Sequence, residues 1–269
     1  MNTKPLGLLV FETDAAAIRA NVAAGLHEVM IDCEWRGKVD RQHGADTDTS
    51  YVEIDGVAAA ASVPGAFVHC RINAHGVWTD EEIETAIAAG AQQIFLPMLR
   101  RIDEVEHFLH RIDGRAHAAI LVETDDAVRI APDLATLPLA AVYVGLNDLA
   151  ISRGKTLIFE ALLDGTVEKL RECFAGKAFG FGGVTIPGRG APIAGDLLLA
   201  EMQRLDCDFS FLRRSWHRDV AGRDLATEAA RLREFWLALC QRDAATRETQ
   251  QRALHQRIRE LLSAPVSIE

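Results

Sequence analysis

The chain has 269 residues, of which 49 % are hydrophobic and 25 % charged, a balance that supports a packed core and excludes a disordered polymer. Its formal charge of −10 sets the average surface against nucleic acid or an anionic membrane, so the expected partner is a small molecule. The five cysteines lie far apart without a CxxC pair, which suggests neither a zinc knuckle nor a disulfide framework and fits a cytoplasmic protein.

In chain order, "LGLLVFE" from Leu6 reads as a first strand that meets an acid too soon to be a leader or a membrane span. In "ETDAAAIRANVAAGLHEV" either Thr13 or Asp14 caps a helix that Gly25 ends. "HEVMIDCEW" from His27 is a second strand, followed by a long polar insertion, "RGKVDRQHGADTDTS", of a length often tied to function. "FVHCRIN" from Phe67 is the third strand. After it, Thr79 stands three residues before Glu82 as a reciprocal cap for a helix that stops at Gly90. "QIFLPML" from Gln93 precedes "DEVEHFLHRI", where Asp103 and Glu106 repeat the capping spacing. "AAILVET" from Ala118, "AAVYVGLND" from Ala140, "FGFGGVTI" from Phe179 and "DFSFLRR" from Asp208 complete eight runs.

Continuous apolar strands alternating with helices imply a parallel sheet covered on both faces. Eight units favour an α/β fold of the (β/α)8 TIM-barrel type, with an open doubly wound sheet as the alternative. The barrel is expected over residues 1–223, with a C-terminal helical extension over 224–269. In that extension Leu225, Ala229, Leu232, Trp236 and Leu239 share one face, and Leu254, Ile258, Leu261 and Leu262 form a second apolar set. The pattern serves equally a helix packed on its own barrel and an arm exchanged with a neighbouring subunit.

In such a barrel the C-terminal ends of all strands open on one face, where active sites sit. The residues closing the runs are Glu12, Asp32 and Glu34, Arg71 and Asn73, Glu123, Asn147 and Asp148, and Arg213 and Arg214. Glu123 and Asp148 come from consecutive strands, about 5 Å apart, where two bare carboxylates would repel. A shared Mg²⁺ removes that conflict, since this ion uses one or two carboxylates and completes its shell with water and substrate. Helix capping or an arginine partner is the simpler alternative for each acid. The fork of Arg71 suits a carboxylate or enolate oxygen, or else neutralises Glu12, Asp32 or Glu34. "GFGGVTIPGRGAPI", 180–193, either presents backbone N–H groups to an anion or permits a tight turn. His69 reads as a satisfied core residue, and His75, His107 and His117 have no metal-site spacing.

The motifs "VMIDCEW", "VHCRIN", "AGAQQIFLPML", "ILVETDDAV" and "VYVGLNDLA" resemble, in order, those of the HpcH/HpaI aldolase and citrate lyase beta-chain family, within the phosphoenolpyruvate/pyruvate barrel superfamily. The resemblance implies Mg²⁺ or Mn²⁺ at Glu123 and Asp148, and Arg71 on the pyruvyl part of a 2-oxo acid substrate. It also implies a homo-oligomer, a trimer or hexamer, in which C-terminal helices are exchanged. Gly145 and Asn147, beside Asp148, are candidate substrate contacts. Two positions depart from the pattern: Trp35 stands where the aldolases have a histidine that takes part in proton transfer, and Ala88 where they carry an acid. Glu34, Asp32 or a metal-bound water is then the candidate base, and Arg36, Lys38, Arg41 and Gln42 of the insertion are candidates for holding an anionic substrate.

The function expected is that of a metal-dependent (class II) aldolase or carbon–carbon lyase working through a pyruvate-type enolate. A lyase acting on a CoA thioester, in the manner of citrate lyase, or a related hydrolase is one alternative. A barrel that kept its shape for binding or assembly is another, motivated by Trp35 and Ala88.

Overall fold

The computed structural model describes residues 4–37 and 54–264. Eight parallel strands, β1 (Gly7–Phe11), β2 (Glu28–Asp32), β3 (Phe67–Arg71), β4 (Gln93–Leu96), β5 (His117–Val122), β6 (Ala141–Val144), β7 (Ala178–Phe181) and β8 (Phe209–Phe211), close in sequence order into a barrel. The described helices are α1 (Ala15–Ala23), α2 (Asp55–Ala61), α3 (Thr79–Ala88), α4 (Ile102–Ile112), α5 (Asp125–Arg129), α6 (Ala131–Ala135), α7 (Leu146–Ser152), α8 (Glu160–Leu163), α9 (Thr166–Cys173), α10 (Gly195–Arg204), α11 (Ser215–Val220), α12 (Leu225–Cys240) and α13 (Ala244–Ser263). The chain is therefore a (β/α)8 TIM barrel with C-terminal helices, and the open sheet is excluded because β8 pairs with β1. None of the described helices is long and apolar enough to cross a membrane.

Strand alternation divides the apolar residues into two bodies. Leu9, Met30, Phe95, Ala119, Leu121, Ala141, Tyr143, Phe209 and Phe211 point inward and fill the bore. The residues between them, such as Val29, Ile31, Val68, Ile94, Ile120 and Val142, point outward under the helices. His69 also faces inward and is a buried core residue, as expected, but only half of its ring is satisfied: Nε2 lies 2.5 Å from Glu28 Oε2, while Nδ1 is buried with no hydrogen-bond partner among the described residues. The weakest seam lies between β7 and β8, joined in register only at Gly180 and Phe209 and beyond the strands at Val184 and Leu212.

Helix starts refine the reading from local spacing. Asp14, not Thr13, caps α1 by accepting from Ala17 N, and Gly25 follows the helix at φ +83°. The paired caps expected further on are not formed. Thr79 is the first residue of α3 and its hydroxyl accepts from Gly76 N, while Glu82 is drawn away to Asn73. At α4 the accepting acid is Glu104, which takes the Arg100 and Arg101 N–H groups, while Asp103 pairs with the Arg101 side chain.

Helices α12 and α13 lie against their own barrel. Ala229, Leu232, Trp236 and Leu239 are buried, and the Trp236 indole donates to Lys4 O at 3.0 Å. Leu254 and Ile258 of α13 are buried in packing against α10, while Leu262 is exposed.

Candidate active site at the barrel mouth

The inward face of each strand carries on past the bore into the mouth. Two residues beyond Met30, Leu121, Tyr143 and Phe211 come Asp32, Glu123, Gly145 and Arg213, and two beyond inward-facing His69 comes Arg71. One period-two rule thus gathers charged groups from four strands, and a glycine from a fifth, on the face where barrels carry chemistry.

Arg71 anchors one side. Its Nε and Nη2 donate to Asp32 Oδ1 and Oδ2 at 2.8 and 2.6 Å, a bidentate fork, and Glu34 Oε2 lies 3.5 Å from Nε. Burial works against the guanidinium charge, but Asp32 and Glu34 outweigh it and hold the Arg71 pKa well above its ordinary value. Of the readings left open for Arg71, neutralisation of Asp32 and Glu34 is realised, and neutralisation of Glu12 is not. Glu12 leaves the mouth: its Oε1 accepts from Thr13 N and Asp14 N at the start of α1.

Glu123 anchors the other side and is 2 % exposed. Its Oε1 accepts from Met98 N at 2.9 Å, and Met98 takes a left-handed backbone, φ +54°, uncommon for a residue with a side chain. Burial pushes the Glu123 carboxyl well above the usual carboxylate range. Asp148 and Glu34 push the same way, against Arg71 and the Met98 N–H. The four charged groups Glu34, Arg71, Glu123 and Asp148 therefore share one electrostatic environment.

Asp148 is buried, but β6 ends at Val144, so neither Asn147 nor Asp148 closes the strand as expected. Gly145, still extended at φ −80° and ψ 91°, is the N-cap of helix α7, which begins at Leu146 and carries Asp148 in its first turn, where the helix dipole favours an acid. Gly145 itself makes room: a Cβ there would stand 2.4 Å from Glu123 Oε2 and 2.9 Å from Glu123 Cβ. Asn147 beside it is half-buried with Nδ2 buried and lacking a hydrogen-bond partner.

Asn73 ties the rim together. Its Oδ1 accepts from Trp35 N and Arg36 N at 2.9 and 2.8 Å, and its Nδ2 donates to Glu82 Oε1 at 2.7 Å. Arg36 is held between the indoles of Trp35 and Trp78, 4.4 and 4.3 Å from the ring centroids, with Nε 3.9 Å from Glu82 Oε1. Lys38, Arg41 and Gln42 lie outside the described residues. Away from the mouth's centre, His75 Nε2 and His107 Nδ1 are 2.9 Å apart, and their ring centroids 5.1 Å apart. That spacing is nearly the sum for two rings meeting head-on through one hydrogen bond.

The glycine-rich stretch accommodates an arginine. Arg213 Nε donates to Gly183 O at 2.7 Å, and Cβ atoms at Gly183 and Gly190 would stand 3.1 Å from its Cγ and 3.0 Å from its Nη1. Neither this service nor the Met98 contact had a signal in local spacing. The Asn73 to Glu82 clasp had one, the acid nine residues downstream, but it read as a helix cap.

Among the described residues no three His, Cys, Asp or Glu side chains converge as a ready-made metal cage. Glu123 and Asp148 nonetheless fit an ion that takes one or two carboxylates. They are buried together and their like charges oppose one another, and the absence of a side chain at Gly145 lets the Glu123 carboxylate lie where it does.

No protein-family model matches the chain, and no curated protein compared is detectably similar in sequence. Solved structures share its shape. The citrate synthase SbnG superposes with a TM-score of 0.60 at 20 % identity, over 84 % of this chain and 94 % of that one. A citrate lyase from Burkholderia xenovorans LB400 gives 0.55 at 15 % identity, over 96 % and 93 %. The 3-hexulose-6-phosphate synthase of Salmonella typhimurium gives 0.61 at 11 % identity, over 87 % and 100 %. At these identities the likeness is one of fold. Fold and site together define a (β/α)8 barrel with an acid-lined and arginine-lined mouth, and the resemblance to the HpcH/HpaI family rests on its motifs.

Proposed function

We propose that the protein is a divalent-metal-dependent carbon–carbon lyase or aldolase that handles a 2-oxo acid through a pyruvate-type enolate. The observation that carries this reading is the buried Glu123, its carboxyl pushed up by burial and by Asp148, facing the same mouth as Arg71. Neighbours named citrate synthase and citrate lyase lend support to carbon–carbon chemistry on carboxylic acids.

Glu123 and Asp148 would hold Mg²⁺ or Mn²⁺, which when bound supplies Lewis-acid stabilisation of developing negative charge. Arg71 directs N–H donors at the substrate oxygen on which that charge grows, from a site poor in water. Asp32 is committed by both oxygens to Arg71, so Glu34, 3.5 Å from Arg71 Nε, is the better candidate to take the hydroxyl proton of the substrate. The electron pair of the breaking carbon–carbon bond passes into the enolate as a carbonyl forms on the departing fragment. Protonation of the enolate carbon then gives the 2-oxo acid. Asn147 and Gly145 border the space the substrate would occupy.

The test is exchange of pyruvate methyl protons with deuterium, followed by NMR. Exchange that needs Mg²⁺ or Mn²⁺ and vanishes in Glu123→Gln is the expected result. Neither exchange nor metal binding in the wild type would favour a binding or assembly role instead. Turnover only with a thioester would move the reading to the citrate lyase type. The chain is further proposed to work in the cytoplasm as a homo-oligomer, a trimer or hexamer. Light scattering that returned a monomer would refute the assembly.

A further inference from the structure

The two arginines of the mouth are treated very differently. Arg71 has two carboxylates within 4 Å, whereas Arg213, also largely buried, forms no ion pair with any carboxylate among the described residues. Its Nε is spent on Gly183 O, and Nη2 is buried without a hydrogen-bond partner. Among the described residues the one carboxylate whose charge is felt at Arg213, Asp219, is engaged by the Thr185 hydroxyl at 2.6 Å and by Arg218. Burial accordingly pushes the Arg213 pKa down, the mark of a cation short of counter-charge.

The surroundings keep that cation in place. Glycines at 183 and 190 give the side chain its room, and Ser215, two residues on, carries a buried hydroxyl oxygen that also has no partner among the described residues. Arg213 belongs to the same mouth: Tyr143 lies within electrostatic range of both Arg71 and Arg213, and Gly182, next to Gly183, lies against Leu146 at the start of α7. A buried charge with unused donors is costly, and a bound oxyanion would satisfy both deficits at once. The position after strands seven and eight is where barrels commonly seat anions.

We propose that Arg213 is the receptor for a second oxyanion, a carboxylate or phosphate group at the end of the substrate remote from Arg71. The substrate class is then a 2-oxo acid or its precursor bearing two anionic ends. The site sits in the mouth of the proposed lyase, but its test reads binding alone, so the two ideas stand or fall separately.

Inorganic phosphate and succinate are each titrated into metal-free protein by calorimetry, in the wild type and in Arg213→Gln. Saturable binding of at least one of them, weakened tenfold or more by the substitution, is expected, and the preferred ion tells phosphate from carboxylate. Binding of neither, or equal binding in both proteins, overturns the proposal. Because the Nε bond to Gly183 also supports the loop, a second measurement uses the intact wild type. Phenylglyoxal labelling, located by mass spectrometry, should mark Arg213 in the free protein and be suppressed there by the bound ion. An Arg213 that stays unlabelled, or is labelled alike with and without the ion, counts against the site.

Discussion

The carboxylate of Glu123 occupies the space a side chain on Gly145 would need, with Oε2 2.4 Å from where that Cβ would fall. Gly145→Ala is therefore expected to displace the acid rather than merely stiffen a turn. Overpacking of this kind costs about 1–3 kcal/mol, and a misplaced catalytic group costs about a hundredfold in rate. Urea unfolding alongside steady-state kinetics reads both. An alanine variant with wild-type turnover would mean that Glu123 has no required position.

Glu123→Gln and Asp148→Asn are each expected to abolish Mn²⁺ binding, seen by electron paramagnetic resonance, and to leave the far-ultraviolet circular dichroism unchanged. Either variant binding Mn²⁺ as the wild type does would remove that residue from the metal site.

The pH dependence of the metal-free protein follows from the same acid. Folding raises the Glu123 pKa, so the folded chain holds this proton more tightly than the unfolded chain. Its contribution to stability is full below the unfolded carboxylate pKa and is lost as pH rises through the folded value, at no more than about 1.4 kcal/mol per pH unit for one proton. Denaturation midpoints in chelator should fall over that window, and the fall should be smaller in Glu123→Gln. Parallel curves for the two proteins would show that the carboxyl titrates normally.

Arg71→Met would strand Asp32 and Glu34 in a largely buried site and is expected to destabilise the fold by about 3–5 kcal/mol. Arg71→Lys keeps the charge but loses the two-pronged grip on Asp32, so the fold should survive while kcat/KM drops about a hundredfold or more. A lysine variant as active as the parent would assign Arg71 a charge-balancing role only.

The strands were legible because each is a short apolar run, and the inward acids and arginines because they sit at fixed offsets from those runs. Arg71 and Glu123 could be chosen on that basis alone. Glu12 fell at the same kind of place, yet a strand end does not say whether a carboxylate will turn back to cap the next helix. Thr79 and Glu82 had the spacing of a reciprocal cap, but a buried asparagine nine residues upstream competed for the acid and won. The Met98 N–H and the space at Gly145 depend on the ends of neighbouring strands, β4 with β5 and β5 with β6, lying side by side, contacts that no local pattern encodes. Arg213 was visible as a charge at a strand end, while its having no carboxylate partner among the described residues emerged only from the folded chain.

The aromatic filling of the bore, Phe95, Tyr143, Phe209 and Phe211, makes the cylinder a cul-de-sac. Traffic must enter and leave by the same door, so in a bisubstrate condensation the deeper-lying partner has to arrive first and depart last. Product-inhibition patterns of an ordered sequence would register that queue, and a random pattern would mean that the mouth is wide enough for two molecules to pass.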